Sequence, residues 1–479
     1  MLHKGRYISS PGAVMAPHAD QRQPALDAES LVFELTRAIA DGALKPGQRI
    51  PSIRQMSARR NISFHSVVSA YERLESQGAI AVQPGLGYFV AVRPEVPAAC
   101  APARPGEAPD PHGIKAVWQL FRGGEHSLKL GCGWLPARWR DTHALARVVR
   151  RTANFAHSSL VEYGDPQGYL PLRQKLVVHL EPRLGVGLTT EHVLTTLGAT
   201  QALDLIIRQY IAPGDHVLVD DPCNNGLVQL LRLRGAHIIG IPRQQDGPDM
   251  DAVATHLQSG KVRAFFINSR LHNPTGTSLA DHKAFRLLQL ANVHDLLLVE
   301  DDVYGDFCSE AQSRLVALDR LHRVIYIGSF SKTLSANLRV GYIVAPPTTL
   351  QTLADLKLMT SVAVPGFCER FLGVMLEDGA YERHLQAVRR QLQTSQAAAQ
   401  QHLLAWGWEL FHAPGEGMFL WIRHPQLPCT QAFIEAAFEL NILLAPGALF
   451  SASATPGPWL RINVAHFDAE AARPLFHWV

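Results

Sequence analysis

Near the N-terminus, apolar residues recur at helical spacing and predict three short helices. Leu31, Leu35 and Ile39 follow this spacing until Asp41-Gly42 interrupts it, which predicts the end of a first helix. Ser52 is placed to cap a second helix. The third helix has a serine cap followed by one apolar face: Ser63, Val67, Ala70, Tyr71 and Leu74. Two short apolar runs around a glycine-rich turn then predict a β-hairpin, so the segment as a whole predicts a winged helix-turn-helix.

Beyond about residue 116, continuous apolar runs of strand length alternate with helical stretches. The runs cover residues 216–219, 238–241, 264–267, 296–299 and 324–327. Strands that are apolar on both sides and separated by helices predict an α/β domain with a mostly parallel sheet and helices on both faces. Ligands of such sheets bind at the carboxyl ends of the strands, so polar residues at those ends are the first candidates for a site.

Changes in composition set the expected domain boundaries. Residues 1–24 show no periodicity and are expected to form a flexible tail before a winged helix-turn-helix at 25–92. Residues 93–115 are rich in proline and alanine, which predicts an extended linker. Residues 116–479 then form the large α/β domain.

One lysine follows the last of the apolar runs in a setting that suggests a cofactor. Lys332 comes after Ser329 and Ser331, and Arg339 follows seven positions later. This combination suits pyridoxal phosphate (PLP), because an amine can form a Schiff base while hydroxyls and a fixed cation hold the phosphate. The alternative is an exposed lysine in an ordinary strand-to-helix loop, and the neighbouring segments must decide between the two.

Other polar residues accompany the predicted strands of the large domain. Gly198, Ala199 and Thr200 open a helix whose free N–H groups can receive a phosphate. The remaining candidates lie in a turn, at the end of a strand or within a late strand: Asn273, Asp301, Tyr304 and Arg461. Taken singly, each has an ordinary structural explanation, such as a turn, a solvated acidic loop or a salt bridge. Their order along the chain is more informative than any one of them.

Composition limits the classes of function. The chain of 479 residues has 45 basic and 42 acidic side chains, so any binding to nucleic acid must depend on one segment. Residues 31–93 hold eight basic and four acidic side chains, a modest positive footprint for DNA. The cysteines are scattered and no histidines have metal-binding spacing, so we expect reduced thiols and no metal. Without a membrane-spanning stretch or a secretion signal, a cytoplasmic protein with no membrane partner is expected.

Three segments resemble, in order, the DNA-binding domain of GntR-type regulators. They are LKPGQRIPSIR at 44–54, VVSAYERLESQG at 67–78 and GLGYFV at 85–90. The resemblance implies contacts with operator DNA from the following residues: Arg54, Ser63, Phe64, His65, Ser66, Arg73, Gly85 and Gly87. Many relatives have arginine where Phe64 stands, and phenylalanine can contact a thymine methyl group but cannot bind guanine bidentately. The alternative is a module that provides only dimer contacts.

From about Glu162 to Val464, the ordered motifs resemble the aminotransferase fold of type I PLP enzymes. The resemblance implies that Lys332 forms the Schiff base with PLP, that Asp301 pairs with the pyridine nitrogen, and that Asn273 and Tyr304 bond the phenolic oxygen. It also implies a set of phosphate ligands: Gly198, Ala199, Thr200, Ser329, Ser331 and Arg339.

The same resemblance implies two contacts beyond the cofactor and contains one departure. Arg461 is expected to bind an amino acid's α-carboxylate bidentately, and Tyr163 is expected to reach the partner subunit's site in a dimer. Relatives usually have an aromatic residue over the cofactor where this chain has Asn224. Asparagine offers no such ring, which predicts lower cofactor affinity or reactivity.

The two segments together resemble the MocR family of transcription regulators. The first hypothesis is therefore a homodimeric regulator that binds operator DNA and senses PLP, or an amine or amino acid, through its large domain. The second is a working aminotransferase with an appended DNA-binding domain, since the residues needed for transamination are present. A third, a DNA-tethered protein with an inactive site, is disfavoured by the intact Lys332.

Overall fold

The structure is a computed structural model that describes residues 28–45, 47–83, 86–91, 114–122, 124, 127–154, 161–308, 313–453 and 455–477. The chain divides into two compact units after Arg93, and each is described by itself. The predicted tail and most of the predicted linker lie outside the described residues. No described helix combines the length and apolar character needed to cross a membrane.

The N-terminal unit has the predicted three helices and hairpin. Its elements are α1 (Ala28–Ala40), α2 (Ile53–Arg60), α3 (Phe64–Ser76), β1 (Ile80–Gln83) and β2 (Gly87–Val90). Ser52 and Ser63 cap α2 and α3, each accepting a hydrogen bond from the backbone N–H three residues on. Val67, Ala70 and Leu74 are fully buried in the core of this unit, so the predicted apolar face of α3 is confirmed.

The second unit contains an eight-stranded sheet. Its strands are β3 (Val193–Thr196), β4 (His216–Asp221), β5 (His237–Gln244), β6 (Gly247–Pro248), β7 (Val262–Asn268), β8 (Leu297–Asp301), β9 (Val324–Ser329) and β10 (Gly341–Val344). The spatial order is β3-β10-β9-β8-β7-β4-β5-β6. The five strands from β9 to β5 run parallel, while β10 and β6 pair antiparallel with their neighbours. The prediction of a mostly parallel sheet is therefore confirmed.

Helices surround this sheet and continue into a smaller C-terminal part. They are α4 (Ile114–Arg122), α5 (Thr142–Ala153), α6 (Leu170–Leu184), α7 (Gly198–Tyr210), α8 (Asn225–Arg234), α9 (Met250–Leu257), α10 (Asp281–Val293), α11 (Leu315–Asp319), α12 (Phe330–Thr333), α13 (Pro347–Ser361), α14 (Gly366–Glu377), α15 (Ala380–Ala405), α16 (Gln431–Glu439) and α17 (Ala469–Phe476). Alternate strand residues enter two separate cores, with Leu218 and Phe265 in one, Val219 and Phe266 in the other. Both faces of the sheet are thus covered, which explains the continuous apolar runs.

A four-stranded antiparallel sheet forms the smaller C-terminal part. Its strands are β11 (Glu409–Leu410), β12 (Phe419–Arg423), β13 (Ala445–Pro446) and β14 (Trp459–Asn463). Its core also takes in Val303 and Tyr304, which lie just beyond the carboxyl end of β8. Residues of β14 are thereby brought to the edge of the large sheet where ligands of parallel sheets bind.

Four cysteines in the described residues are free thiols, as the sequence predicts, but Cys429 is disulfide-bonded. The expectation of reduced thiols is therefore wrong at Cys429. The sequence gives no sign of this bond, because Cys429 has no other cysteine near it along the chain.

Candidate functional site

The carboxyl ends of three parallel strands bring the predicted polar residues together. Asn268 and Asp301 end β7 and β8 and are register partners, and Ser329 ends β9. The Asn268 amide nitrogen donates to the Asp301 carbonyl oxygen at 2.7 Å, while Asn268 Oδ1 accepts from the backbone N–H of Asn273 at 2.8 Å. Asn268, which the sequence analysis missed, therefore positions the turn that carries Asn273.

Lys332 lies on the short helix α12, directly after β9. Its partly buried Nζ donates a hydrogen bond to the carbonyl oxygen of Gly133 at 3.0 Å. Burial and, secondarily, the positive charge of Arg461 lower the pKa of Lys332 to about 8, although Asp301 opposes the shift. A larger fraction of this amine is neutral near pH 7 than for an ordinary lysine, as a nucleophile requires.

The start of α7 and Arg339 lie close together and form a cradle of hydrogen-bond donors. Gly198 has a φ of +75°, and a Cβ built there would lie 2.8 Å from the Arg339 guanidinium. Arg339 donates to the Leu197 carbonyl at 3.1 Å and to Ser331 Oγ at 3.4 Å. No side chain caps the first turn of α7, so its N–H groups and the exposed Thr200 are available to a phosphate.

Ser329, another predicted phosphate ligand, already has partners within the chain. Its Oγ accepts from the Ser331 backbone N–H at 3.1 Å and lies 3.3 Å from the carbonyl oxygen of Val340, to which it donates. It therefore caps α12 and holds the turn that carries Lys332. Its predicted contact with phosphate remains a prediction.

Arg461 is a buried guanidinium with neutral partners. It donates to Asn273 Oδ1 at 2.7 Å and to the Gly131 carbonyl at 2.6 Å, and it is flanked by the rings of Phe419 and Phe450, each 4.6 Å away. Its side chain forms no ion pair with the described carboxylates, and its buried Nε has no hydrogen-bond partner. A buried charge is costly without an opposite charge, so an anionic ligand would stabilise this guanidinium.

Two further predicted residues, Asp301 and Tyr304, are close to Arg461 and Lys332. Burial raises the pKa of Asp301 to about 6, although a hydrogen bond from the Val303 N–H opposes this shift. Burial also raises the pKa of the Tyr304 phenol, although the nearby positive charge of Arg461 opposes this shift. An opposite charge next to Asp301, such as a protonated pyridine nitrogen, would restore its ionised form.

A glycine loop between the two key cations was missed in the sequence. A Cβ at Gly133 would lie 3.5 Å from Lys332 Nζ and 3.8 Å from an Arg461 guanidinium nitrogen. A Cβ at Gly131 would lie 2.4 Å from the Leu444 backbone, so only glycine fits there. The Gly-Cys-Gly sequence was the available signal, since closely spaced glycines often mark close approach to a ligand.

Tyr163 does not join the site of its own chain. Its side chain is 90% exposed, and two other apolar residues, Val161 in the same loop and Met359 on α13, are also largely exposed. The buried Lys357 of α13 anchors this loop by donating to the Pro166 carbonyl at 2.8 Å. An exposed tyrosine on an anchored loop is consistent with a contact to another subunit.

Asn224 is the N-cap residue of α8. Its Oδ1 accepts a hydrogen bond from the Gly226 N–H at 3.1 Å. The residue before it, Cys223, donates its backbone N–H to the Phe450 carbonyl at 2.7 Å. The aromatic ring expected in relatives is thus replaced here by a helix cap.

In the N-terminal unit, most of the predicted DNA contacts lie on the surface. Arg54, Ser63 and His65 are exposed, and Phe64 is 55% exposed at the first turn of α3. The hydroxyls of Ser63 and Ser66 are 2.8 Å apart, so the two serines are held together at this turn. In winged helix-turn-helix proteins, this end of the recognition helix enters the major groove.

The remaining predicted contacts are placed differently. Arg73, nine residues after Phe64, pairs with Glu29 at 3.4 Å, an exposed interaction that contributes little to stability. Gly85 lies outside the described residues, whereas Gly87 begins β2 with a φ of +111°. A Cβ at Gly87 would lie 3.5 Å from the Arg49 guanidinium, so Arg49 is a further cation at the wing that the sequence analysis missed.

Comparison with known proteins identifies both units. Residues 28–90 match the bacterial regulatory proteins of the gntR family, and residues 125–477 match aminotransferase class I and II. The chain is 30% identical to the uncharacterized HTH-type transcriptional regulator YdcR of Escherichia coli, over 91% of this chain and 94% of that protein. It is 27% identical to the probable rhizopine catabolism regulatory protein MocR of Rhizobium meliloti, over 78% of each chain. The chain belongs to the MocR family of GntR-type transcription regulators.

Like other MocR-type chains, this regulator combines a GntR-type DNA-binding domain with an aminotransferase-like domain. It is 33% identical to the 2-aminoadipate transaminase of Thermus thermophilus, over 71% of this chain and 85% of the enzyme. The structure of Thermus thermophilus LysN, complexed with N-(5'-phosphopyridoxyl)-L-leucine, has 28% identity and a TM-score of 0.69, covering 76% of this chain and 92% of LysN. PLP, predicted from the motif around Lys332, is therefore confirmed as the cofactor of this type of domain.

Proposed function

We propose that this MocR-type protein is a homodimeric regulator that binds operator DNA and responds to PLP, or to an amine or amino acid that reaches PLP in its large domain. The observation that carries the proposal is that Lys332 and Arg461 lie on either side of Gly133. Lys332 supplies an amine, and the buried Arg461 guanidinium has no carboxylate partner among the described residues. An α-amino acid has an amine that can react with PLP in place of Lys332 and a carboxylate that complements Arg461. Domains at 25–92 and 116–479 and a cytoplasmic location are part of the same proposal.

The described residues fit PLP. Lys332 supplies the amine, Asp301 an acid at the strand edge, and Gly198 with Arg339 a cradle that a Cβ would fill. When bound, PLP supplies an electron sink for negative charge on the carbon next to the substrate nitrogen. The chain's own part is to hold the phosphate at α7, keep Lys332 reactive and keep a charge partner at Asp301.

Arg461 is proposed to select ligands with a carboxylate. Its Nε is free, and its existing partners, Asn273 Oδ1 and the Gly131 carbonyl, are neutral. A carboxylate would satisfy the free N–H and neutralise the buried charge, and such charge-assisted bonds are about twice as strong as neutral ones. The rings of Phe419 and Phe450 hold the guanidinium in place before a ligand arrives.

The exposed apolar side chains of Val161, Tyr163 and Met359 support a homodimer. A partner subunit would cover these side chains, and exposed apolar patches often mark such interfaces. Tyr163 would then complete the partner subunit's site. A dimer also matches the paired half-sites that helix-turn-helix proteins read in operators.

A working aminotransferase is the second candidate. It is favoured by the presence of Lys332, Asp301 and Arg461 together and by 33% identity to a transaminase. The helix-capping Asn224 in place of an aromatic ring points away from efficient turnover. The DNA-binding domain makes regulation the better-supported function.

Operator binding and turnover, measured on one preparation, test the proposal. A duplex selected from a random-sequence pool by the full-length protein serves as operator, and its Kd is measured with and without PLP and single amino acids. We expect at least one ligand to change the Kd by about fivefold or more, because coupling energies of this kind are typically about 1 to 3 kcal/mol. Rapid transamination with an operator Kd that no ligand changes would favour the enzyme instead.

Arg54→Ala is expected to weaken operator binding about tenfold, because one charge-assisted phosphate contact is lost. The loss should be similar for every duplex sequence, and the slope of log Kd against log salt should fall by about 1. Fluorescence anisotropy at several salt concentrations measures both. Arg37→Ala is the control, because Arg37 is exposed on α1 and pairs with Asp41. Loss of discrimination at a single base pair would show instead that Arg54 reads a base.

Gly198→Ala is expected to weaken PLP binding at least about tenfold, because the new methyl group displaces the Arg339 guanidinium from the phosphate cradle. Pyridoxal, which lacks the phosphate, should lose much less affinity. Gly187→Ala is a matched control, since Gly187 also has a φ of +75° but nothing within 4 Å of its Cβ position. Equal losses in both variants would assign the effect to backbone strain alone. Equilibrium titrations with PLP and pyridoxal separate these outcomes.

A further inference from the structure

A cavity separate from the site around Arg461 lies behind the turn that carries Lys332. It has a volume of about 500 Å³ and lies between α5, the end of α14 and the start of α15. This is the size range of small-molecule pockets. Its lining contains four arginines, Arg140, Arg147, Arg151 and Arg383, together with His384, whose pKa is lowered by burial.

The acidic residues of the cavity are already engaged. Asp141 caps α5 by accepting from the Ala144 N–H at 2.9 Å. Asp378 accepts from the Ala380 N–H at 3.0 Å and pairs with Arg151 at 3.6 Å. Within the described part of the chain, Arg147 and Arg383 form no ion pair. The cavity therefore has spare positive charge.

The rest of the lining is apolar. It is formed by buried or partly buried aliphatic side chains of α5, α14 and the turn after α12: Leu145, Val148, Leu334, Val374 and Met375. A bare inorganic anion would leave this surface without a partner. A ligand with both an anionic group and an apolar body would use both kinds of surface.

Two residues of the cavity hold the segment that follows Lys332. Arg140 donates from Nε to the Leu334 carbonyl at 2.6 Å, and His384 Nε2 lies 2.9 Å from the Thr333 carbonyl, to which it donates. These carbonyls belong to the two residues directly after the lysine. A ligand that moves Arg140 or His384 therefore acts on the Lys332 turn.

We propose that this cavity binds a small organic carboxylate with an apolar body, and that its occupancy is coupled to PLP binding at Lys332. Arg147 and Arg383 bind the carboxylate, and the aliphatic side chains of the lining contact the apolar body of the ligand. Binding here does not depend on the proposed regulation of DNA, and it is separate from the carboxylate site at Arg461. The coupling runs through Arg140 and His384 to the backbone next to Lys332.

The probe for this cavity is 4-phenylbutyrate, titrated calorimetrically into the full-length protein. 4-Phenylbutylamine has the same body with the opposite charge and is expected not to bind, and inorganic phosphate is expected to bind at least about tenfold more weakly. Binding that persists in Arg461→Lys excludes the site at Arg461 as the source of the signal. Equal binding of the amine or of phosphate, or a signal that disappears in Arg461→Lys, would overturn the proposal.

Two double variants locate the binding. Arg147→Gln with Arg383→Gln is expected to raise the Kd for 4-phenylbutyrate at least about tenfold, because two charge-assisted bonds are lost. Arg150→Gln with Arg390→Gln is the matched control, since these exposed arginines lie on the same two helices outside the cavity lining. Thermal unfolding checks that both variants fold. Equal Kd values in the two double variants would overturn the assignment.

Reciprocal binding tests the coupling. Saturating 4-phenylbutyrate should change the Kd for PLP by about fivefold, and PLP should change the Kd for 4-phenylbutyrate by the same factor. Identical PLP affinities with and without the carboxylate would overturn the coupling. PLP binding would still be measured in that case. Failure of the coupling can therefore be told apart from failure of the proposed function, in which PLP or amino acids would not affect operator binding.

Discussion

Lys332→Ala is expected to abolish covalent attachment of PLP while leaving the protein folded. The Lys332 amine makes one hydrogen bond, to the Gly133 carbonyl, and the charge of Asp301 acts on its pKa. Its removal costs little packing, because the side chain lines the site rather than the core. The expected change is from one PLP per chain after borohydride reduction to none.

Intact-chain mass spectrometry measures this result, and thermal unfolding confirms the fold. Lys261→Ala is the control, since Lys261 is exposed and remote from the sheet edge. The Lys332→Ala protein should also lose any effect of PLP or of amino acids on operator affinity. Stoichiometric labelling of the variant at another lysine would contradict the assignment of Lys332.

Arg461→Lys is expected to weaken the binding of amino acids to the PLP-loaded protein by about 30- to 150-fold, which corresponds to about 2 to 3 kcal/mol. Lysine keeps the positive charge but cannot bind a carboxylate bidentately. It also cannot span the contacts to Asn273 and the Gly131 carbonyl. The pKa of Lys332 should change little, because the neighbouring charge is retained.

Comparing each amino acid with its decarboxylated amine isolates the role of Arg461. Titration of the loaded protein, followed by its visible absorbance, should show a large loss for the amino acid and almost none for the amine. Arg423→Lys is the control on the adjacent strand, where Arg423 is exposed and pairs with Glu409. An equal loss for amino acid and amine would show that Arg461 acts only by supporting the site.

The elements of the fold were predictable because their signals are local. The period of apolar residues identified α3 and its buried face, and continuous apolar runs identified the parallel strands. Ser52 and Ser63 were correct as caps because capping depends on the next three residues. The disulfide at Cys429 and the cation Arg49 at the wing have no local signal, since both depend on tertiary structure.

The site was predictable in its residue types but not in its geometry. Ordered motifs placed Lys332, Asp301 and Arg461 in one site, yet Arg461 reaches Asn273 across 188 positions of sequence. The free Nε of Arg461 and the glycine loop at Gly133 follow from that long-range packing. The cavity behind Lys332 was invisible in the sequence, because helices remote from one another along the chain contribute its arginines.

The two cations of the site belong to different sheets, since Lys332 follows β9 of the large sheet and Arg461 lies on β14 of the small one. An α-amino acid that reaches PLP with its amine and Arg461 with its carboxylate would bridge the two sheets. A simple amine or a simple carboxylate can occupy only one end. Such ligands are expected to behave as antagonists, because they fill the site without bridging PLP and Arg461.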